Sequence, residues 1–344
     1  MNTAILTPLK CWILLWLSTT IVSLSSASPP ELHSKIFKIR SGKSYTEIPF
    51  QLIDNLIVVT VKVNDQRELN FLMDTGTASP VILHRRYIKG LNLPLGREIN
   101  FQGAGRGKAV KATVINQMSL QIAGAYAAQL GAVVLQQNVL SHIKLKGVTI
   151  HGVLGASLFR SFAVEIDYPA RKLRLYDNYS YDNDKIYDAY PLKIVMSRPI
   201  LETEVEWDDG IHKLRLMLDT GFNDKLLIYA QASFSSLGPK FETLGYGYSG
   251  KIMGTVSSVP SLRFGNQMIT EIPTFFPSYQ AYKADETTTS YRDGIIGNAL
   301  LKDYCIVLDY AQRRLLIRKP LRESPMMVVD KGLSKGLSIL ADEL

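Results

Sequence analysis

The sequence predicts a mainly β protein of two pseudo-symmetric, β-barrel-like lobes with a few short helices. Three observations lead to this fold class. Short β-branched apolar runs alternate with turn residues along most of the chain. The tripeptide Asp-Thr-Gly occurs twice, at Asp74 and at Asp219, and follows a strand-like run each time. The segment 151–177 recurs, aligned without a gap, as 293–319.

Length and composition allow two domains of ordinary size and a large core. The chain has 344 residues, of which 46% are hydrophobic, and a net charge of +8 with a pI near 9.2. The Lys and Arg residues are scattered, and no basic run is interleaved with aromatic residues as nucleic-acid binding requires. We therefore expect a solvated basic surface and no nucleic-acid partner.

Residues 1–27 resemble a signal peptide. Lys10 precedes the apolar segment 11–17, and small residues lead to a cleavage point after Ala27. The mature chain would then begin near Ser28, lack a membrane span, and be exported to a periplasm or secreted. An uncleaved anchor is the alternative, although polar residues interrupt an apolar run that is already short for a span.

Cysteine and histidine usage predicts neither a disulfide nor a metal site. After cleavage, Cys305 is the sole thiol, and its apolar neighbours in the sequence indicate a core residue. The five His residues never stand at the spacing from acids or Cys that metal sites require.

Composition and repeats divide the chain into segments. The stretch 178–190 is rich in Asp, Asn and Tyr and poor in aliphatic residues, which is typical of a linker. The expected organisation is a signal peptide at 1–27, an N-terminal segment at 28–47, an N-terminal lobe at 48–177, the linker at 178–190, a C-terminal lobe at 191–320 and a tail at 321–344.

The first lobe opens with a hairpin that ends at the first acid. Residues 47–63 contain a strand, Asn64 and Asp65 form a turn, and 67–73 form the strand that returns to Asp74.

A glycine-rich hairpin follows. Residues 99–114 form two strand-like arms joined by a pliable loop that contains Gly103, Gly105 and Gly107. Farther along, 152–155 opens a short helix, and another hairpin closes the lobe.

The second half repeats this order. Residues 200–218 form a strand, a turn and a strand that ends at Asp219, and 241–258 form a second glycine-rich hairpin. Asp74 and Asp219 lie 145 positions apart. A repeat of this length suits two domains related by pseudo-symmetry, so we expect a two-fold axis between the two acids.

The two Asp residues indicate acid–base chemistry. A single Asp at a strand end is usually a turn residue or a cap. A strand and turn that present an unpaired Asp are costly to bury unless the protein uses or compensates the charge, and this chain has two of them. If Asp74 and Asp219 come together, the like charges share one proton, and the pair can act as acid and base.

With these motifs the chain resembles the aspartic proteases of the pepsin and retropepsin superfamily. In that family each lobe carries an apolar-Asp-Thr-Gly loop, and a later aliphatic-aliphatic-Gly segment packs beneath it. The resemblance covers about residues 48–319 and is nearer to exported bacterial retropepsin-like proteases fused in tandem than to pepsin. The residues that match the packing segments are Val153, Leu154, Gly155, Ile295, Ile296 and Gly297.

The resemblance implies an aspartic endopeptidase that acts on polypeptides as a monomer, without a cofactor or metal. Asp74 and Asp219 would activate one water molecule between them. Thr75 and Thr220 would form hydrogen bonds to the opposite loop. The residues that would support the pair are Thr75, Gly76, Thr77, Thr220 and Gly221.

The hairpin with Gly103, Gly105 and Gly107 is the candidate flap over the cleft. An ordinary glycine-rich hairpin is the alternative. Pepsin-like flaps carry a Tyr near the tip, whereas this hairpin has none, and Tyr246 and Tyr248 lie in the second-lobe hairpin instead. Which hairpin covers the cleft stays open at this point.

Two other functions remain possible. A catalytically inactive protein could use the same cleft to bind peptides, and a structural or surface protein could share the fold. Both Asp-Thr-Gly motifs are intact, which favours the enzyme.

A departure from the family pattern generates a prediction about pH. The family often has a hydroxyl three residues after each acid, and the chain keeps it at Thr77 but has Phe222 in the second lobe. A missing donor to the charged form raises a carboxyl pKa, so we expect a less acidic pH optimum than that of pepsin. Phe222→Thr should shift the activity profile towards lower pH, and an unchanged profile would contradict the argument.

Overall fold

The structure analysed is a computed structural model. The expected cleavage point at Ala27, most of the expected linker and the tail at 321–344 lie outside the residues it describes. Those residues are 17–18, 35–40, 42–105, 107–137, 145–177, 186–207, 209–229, 241–278 and 291–318.

Strands dominate the first half. A 3₁₀ helix, Arg85–Ile88, and a short α-helix, α1 (Ala156–Phe159), interrupt them. The strands are β1 (Leu17–Ser18), β2 (Lys38–Ile39), β3 (Tyr45–Pro49), β4 (Gln51–Ile53), β5 (Leu56–Val63), β6 (Arg67–Met73), β7 (Val81–Ile82), β8 (Leu95–Gly103), β9 (Val110–Ile122), β10 (Ala125–Leu135), β11 (Gly152–Leu154), β12 (Ala163–Asp167) and β13 (Lys172–Tyr176).

The second half has the same character, with one short helix, α2 (Asn298–Leu301). Its strands are β14 (Asp188–Val195), β15 (Arg198–Trp207), β16 (Gly210–Asp219), β17 (Leu226–Ile228), β18 (Phe241–Gly247), β19 (Gly250–Phe264), β20 (Gln267–Pro277), β21 (Gly294–Gly297), β22 (Cys305–Asp309) and β23 (Arg314–Arg318).

The hairpin of β5 and β6 delivers the first acid, as the sequence predicts. Its turn residues Asn64 and Asp65 have φ angles of 50° and 52°, the left-handed conformation of the central residues of a type I′ turn. Asn and Asp tolerate this conformation better than most residues do. Val59 pairs with Phe71 on the returning strand, and both are buried.

The two lobes repeat one topology around their acids. In the N-terminal lobe β11 lies between β6, to which it is parallel, and β7, to which it is antiparallel. In the C-terminal lobe β21 lies between β16 and β17 with the same two orientations. This repeat brings each aliphatic-aliphatic-Gly segment beside the strand that carries its acid.

The lobes are joined by six antiparallel strands, in the order β3, β13, β12, β22, β23 and β14, which form one end of a thirteen-stranded sheet in the described part of the chain. At its centre β12 of the N-terminal lobe pairs with β22 of the C-terminal lobe, and Ile166 lies opposite Ile306. The largest apolar cluster includes both residues and continues into each lobe. The two halves therefore share one continuous core.

The linker is shorter at its C-terminal end than the sequence predicts. Residues 188–190, interpreted as linker because the stretch 178–190 is poor in aliphatic residues, belong to β14 and pair with β23. Main-chain hydrogen bonds hold them in the sheet, and these bonds do not require apolar side chains.

Cys305 is buried in this sheet, as expected of a core residue. Its thiol lies 3.6 Å from the carboxylate of Glu165, which also accepts hydrogen bonds from Arg174 and Tyr176. Burial raises the pKa of the Cys305 thiol to about 11, so the thiol stays protonated at neutral pH.

None of the helices in the described part of the chain combines the length and apolar character needed to cross a membrane.

Truncation in the shared core should destabilise the whole protein. Ile306→Ala removes a fully buried side chain next to the other lobe, and we expect the free energy of unfolding to fall by about 2–5 kcal/mol. Urea denaturation measures this change. The control Ile211→Ala alters a side chain that is 66% exposed and should change the value by less than about 0.5 kcal/mol. Equal effects would contradict the shared core.

Candidate active site

The two acids end equivalent strands at the lobe interface. Asp74 directly follows β6, and its N–H donates to the Leu154 carbonyl of β11 at 2.9 Å. Asp219 is the last residue of β16 and pairs with Gly297 of β21. Both acids have 0% relative exposure.

The carboxyl groups of the two acids lie next to each other. A Cβ built on Gly76 would lie 3.0 Å from Asp219 Oδ2 and 3.0 Å from Asp74 Oδ1. A Cβ built on Gly221 would lie 2.5 Å from Asp74 Cγ. Each lobe therefore needs glycine after Asp-Thr, because a side chain there would collide with the carboxyl group of the other lobe.

The threonines of the two motifs exchange hydrogen bonds across the interface. Thr75 Oγ1 donates to the Leu218 carbonyl at 2.6 Å, and Thr220 Oγ1 donates to the Met73 carbonyl at 2.9 Å. Each hydroxyl also accepts the N–H of the other threonine, at 3.0 and 3.1 Å. These four bonds fix the position of one loop relative to the other.

The aliphatic-aliphatic-Gly segments pack directly against the two loops. Val153, Leu154, Ile295 and Ile296 have 0% exposure. A Cβ on Gly155 would lie 2.0 Å from the Thr77 carbonyl oxygen, and one on Gly297 would lie 2.4 Å from the Asp224 carbonyl oxygen. Only glycine allows the main chain to approach the loops so closely.

Comparisons with known proteins agree with this architecture. The aspartyl protease family model matches residues 59–158, which include Asp74 and β11. The solved structure of an aspartic proteinase from Irpex lacteus matches with a TM-score of 0.50 at 12% identity and covers 80% of this chain and 97% of that one.

This chain has the aspartic-protease fold. The solved structure of basic 7S globulin from soybean also matches, with a TM-score of 0.48 at 9% identity, over 80% of this chain and 95% of that one. A comparison with curated protein sequences finds no significant match.

Within the aspartic-protease fold of this chain, the two acids have different hydrogen-bond partners. Asp74 accepts the Gly76 N–H at 2.7 Å and the Thr77 hydroxyl at 2.6 Å, one on each oxygen. Asp219 accepts the Gly221 N–H at 2.8 Å through Oδ1. Its Oδ2 is buried and receives no N–H or O–H from the described residues. Phe222 supplies no donor, as the sequence indicates.

Burial and the closeness of the two acids shift the pKa of both carboxyl groups. Burial raises the pKa of Asp74 well above its ordinary value, and the negative charge of Asp219 raises it further. Burial also raises the pKa of Asp219, while the Gly221 N–H, a hydrogen bond with Asp74 and the charges of Arg292 and Arg198 lower it. The arrangement suits a pair in which one carboxyl is protonated and one is ionised.

The candidate flap meets the second glycine-rich hairpin tip to tip. Ser249, in the β18–β19 turn, accepts the Gly107 N–H at 2.5 Å and donates its own N–H to Ala104 at 3.0 Å. The Ser249 hydroxyl accepts the Gly103 N–H at 3.1 Å. At Gly105 the φ angle is +120°, and a Cβ would lie 2.6 Å from the Gly250 carbonyl oxygen. The tips of the two hairpins are therefore in direct contact.

Tyr248 extends from the second hairpin towards the acids. Its ring packs edge-on against Phe101 at 5.2 Å between centroids, and its side chain is buried. Burial raises the pKa of Tyr248, the charge of Asp74 raises it further, and the nearby Thr77 hydroxyl lowers it. The phenol makes no well-formed hydrogen bond with a described residue. A Tyr near the acids therefore comes from the second hairpin.

Three further residues at the site were not predicted from sequence. Asn298, at the start of α2, donates to the Thr220 carbonyl at 2.6 Å and accepts the Tyr168 hydroxyl. Arg198 and Arg292 are buried near Asp219. Arg198 follows its hairpin turn as Leu56 follows the equivalent turn, and Arg292 stands opposite Ile150 in the aligned repeats. This exchange of aliphatic for charged residues is the signal that could have revealed them.

The burial of the acids should make stability depend on pH. In the folded state the pKa of Asp74 is raised above 3.8, so folding favours the protonated carboxyl. The free energy of unfolding is therefore largest in acid and falls as the pH rises through the pKa of the folded state. Asp74→Asn removes the ionisation and should be more stable than the wild type at neutral pH. Urea unfolding as a function of pH measures this.

The advantage of Asp74→Asn should vanish below about pH 4, where the wild-type carboxyl is protonated in both states. Asp65→Asn, at an exposed turn, is the control and should change the unfolding free energy by less than about 0.5 kcal/mol at any pH. A variant that is less stable than the wild type at neutral pH would contradict the argument.

Proposed function

We propose that this protein is an aspartic endopeptidase that hydrolyses peptide bonds with a water molecule activated between Asp74 and Asp219. The observation that carries the proposal is the pair of adjacent buried carboxyl groups, one from each lobe. Neither carboxyl forms an ion pair with a Lys or Arg of the described residues. Neither acid is therefore held in a direct ion pair, and both carboxyl groups stay available to a reaction.

The chemistry follows from one proton shared by two carboxyls. The ionised carboxylate takes a proton from water as the water oxygen attacks the peptide carbonyl carbon. The protonated carboxyl donates its proton to the carbonyl oxygen, which would otherwise carry a negative charge. Breakdown of the resulting gem-diol transfers a proton to the leaving nitrogen. The reaction uses only the two acids, without a cofactor.

The two hairpins would act as a paired flap. Their tips meet through Ser249, and Asp74 and Asp219 have no exposed surface. A polypeptide reaches the acids only when the tips separate. On closure, the hairpins and Tyr248 would exclude bulk water from the reacting groups.

A peptide-binding protein without activity is the second candidate. The closed hairpins and the fully buried acids favour it, because a cleft that rarely opens can hold a ligand without turning it over. The intact motifs and the adjacent carboxyls favour the enzyme.

We also propose that the chain is cleaved near Ala27 and exported. The exported protein would be a monomer. The proposal depends on the signal-peptide pattern of residues 1–27. Sequencing of the N-terminus of the exported protein tests it, and an N-terminus at residue 1 would contradict it.

Substitution of either acid tests the catalytic proposal. Asp74→Asn and Asp219→Asn should each lower the rate of cleavage of an unfolded protein by roughly 10³-fold or more, because each removes one partner of a pair that works as a unit. The measurement is the appearance of new peptide termini, followed by mass spectrometry. Asp65→Asn is the control and should cleave like the wild type.

The same experiment separates the two candidates. If the wild type binds an unfolded peptide without cleaving it, and Asp74→Asn binds equally well, the protein is a binder and the endopeptidase proposal fails.

A further inference from the structure

Each lobe has a small apolar cluster on the same side of its strands as its acid. Side chains alternate along a strand, so Leu72 of β6 shares a face with Asp74, while Met73 faces the large core. In β16, Met217 shares a face with Asp219 in the same way. We call the clusters that contain Leu72 and Met217 the N-terminal and the C-terminal acid-side cluster. A polypeptide held at the acids would lie beside both.

The hairpin tips exchange side chains between these two clusters. Among the described residues, Tyr248 is the one buried member of the N-terminal acid-side cluster that comes from the C-terminal lobe. Ala104 is the one buried member of the C-terminal acid-side cluster that the described part of the N-terminal lobe contributes. The exchange is unequal, because one cluster receives a phenol ring and the other receives a methyl group.

Tyr248 fits its place as a ring but not as a phenol. Its side chain is 1% exposed and meets Phe101 edge-on at 5.2 Å between centroids. The hydroxyl is buried, yet it forms no well-formed hydrogen bond with a described residue. Buried tyrosines usually find a partner for this group. Phe would therefore suit the closed state better, and a hydroxyl is expected on a ring that leaves the cluster for water.

The next residue, Ser249, connects Tyr248 to the opposite hairpin. The main chain of Ser249 accepts the Gly107 N–H and donates to the Ala104 carbonyl, and its hydroxyl accepts the Gly103 N–H. Because Ser249 directly follows Tyr248, separation of the tips withdraws the ring from the N-terminal acid-side cluster. The motion that would admit a polypeptide to the acids therefore also vacates the place of the ring.

We propose that Tyr248 occupies the pocket in which an aromatic side chain of the substrate binds, so that the closed protein is inhibited by its own hairpin. The pocket is the part of the N-terminal acid-side cluster around Phe101 and Leu72. A substrate ring in this pocket would replace the apolar contacts that Tyr248 gives up. Tyr248 would then lie over the bound peptide with its hydroxyl in water. The inference rests on the proposed function and names its substrate class, which is polypeptides with an aromatic residue beside the scissile bond.

The aromatic residue is expected on one side of the scissile bond only. The C-terminal acid-side cluster has rings of its own, Phe222 and Phe275, with 6.0 Å between their centroids. Both belong to that lobe and stay in place when the tips separate. Withdrawal of Ala104 frees the space of a methyl group, so a large side chain on that side has no vacancy to fill.

The first test measures binding by protein that does not cleave. Every sample carries Asp74→Asn, and the probe is the peptide Ala-Ala-Phe-Ala-Ala, acetylated and amidated at its ends. The matched probe has Ala in place of Phe, and isothermal titration calorimetry gives both affinities. The Phe peptide should bind more tightly by about tenfold or more, as expected when a ring is buried. Equal affinities would overturn the proposal.

Removal of the ring distinguishes an inhibitory role of Tyr248 from a structural one. Tyr248→Ala should bind the Phe peptide about tenfold more tightly than the parent does, because the peptide no longer competes with the protein's own ring. Tyr248→Phe keeps the ring and should bind no more tightly than the parent. Phe241→Ala removes a ring of the same strand that is 55% exposed, and as the control it should leave the affinity unchanged.

A purely structural Tyr248 would give a different result. Unchanged or weaker binding by Tyr248→Ala, in a variant whose thermal unfolding remains cooperative, would overturn the proposal. If Tyr248→Ala does not fold, Tyr248→Val takes its place, with the same direction of change expected. Neither readout depends on peptidase activity.

The cleavage sites provide the second test. The wild type is incubated with peptides from a digested cell lysate, and mass spectrometry identifies the new termini. Phe, Tyr and Trp should be enriched at one of the two positions that flank the cut, and enrichment at neither or at both would overturn the proposal. If the wild type cleaves nothing, the endopeptidase proposal fails, while the binding test still decides whether Tyr248 competes with a peptide ring.

Discussion

The close approach of two buried carboxyl groups is the constraint on which the rest of the site depends. Like charges at this separation repel, and neither has water to screen it. Several groups reduce the free-energy cost of burying the two charges. They are the N–H groups of Gly76 and Gly221, the Thr77 hydroxyl and the buried arginines. Every one of these groups is positioned by contacts at or near the lobe interface, so the pair forms only when both halves are folded.

Much of this arrangement could be predicted from the sequence because the same motifs occur twice, once in each half of the chain. A strand followed by Asp-Thr-Gly, and later by two aliphatic residues and Gly, specifies a loop and the strand beneath it. Duplication then implies a two-fold axis, and the axis brings Asp74 and Asp219 together. The glycines were predictable for the same reason, since a Cβ at Gly155, Gly221 or Gly297 would lie less than 3 Å from a neighbouring atom.

The residues that break the symmetry were harder to predict. Tyr248 was recognised as a hairpin residue, but its approach to the acids depends on how two hairpin tips meet across the lobes. Arg198 contacts a carbonyl more than a hundred positions away in the chain. Such contacts leave no local periodicity, because they depend on the packing of whole lobes. For residues 188–190, main-chain pairing outweighed a composition that is typical of loops.

The contact between the two hairpin tips has a consequence for the affinity and the rate of ligand binding. If a peptide reaches the acids only when the tips separate, as the proposed flap implies, it binds only the fraction of molecules whose tips are apart. The observed dissociation constant would then equal the intrinsic one divided by that fraction. Affinity for any peptide is then set partly by Gly103, Gly107 and Ser249, none of which need touch it in the open form. At high ligand concentration the observed rate of association would level off at the rate of hairpin separation.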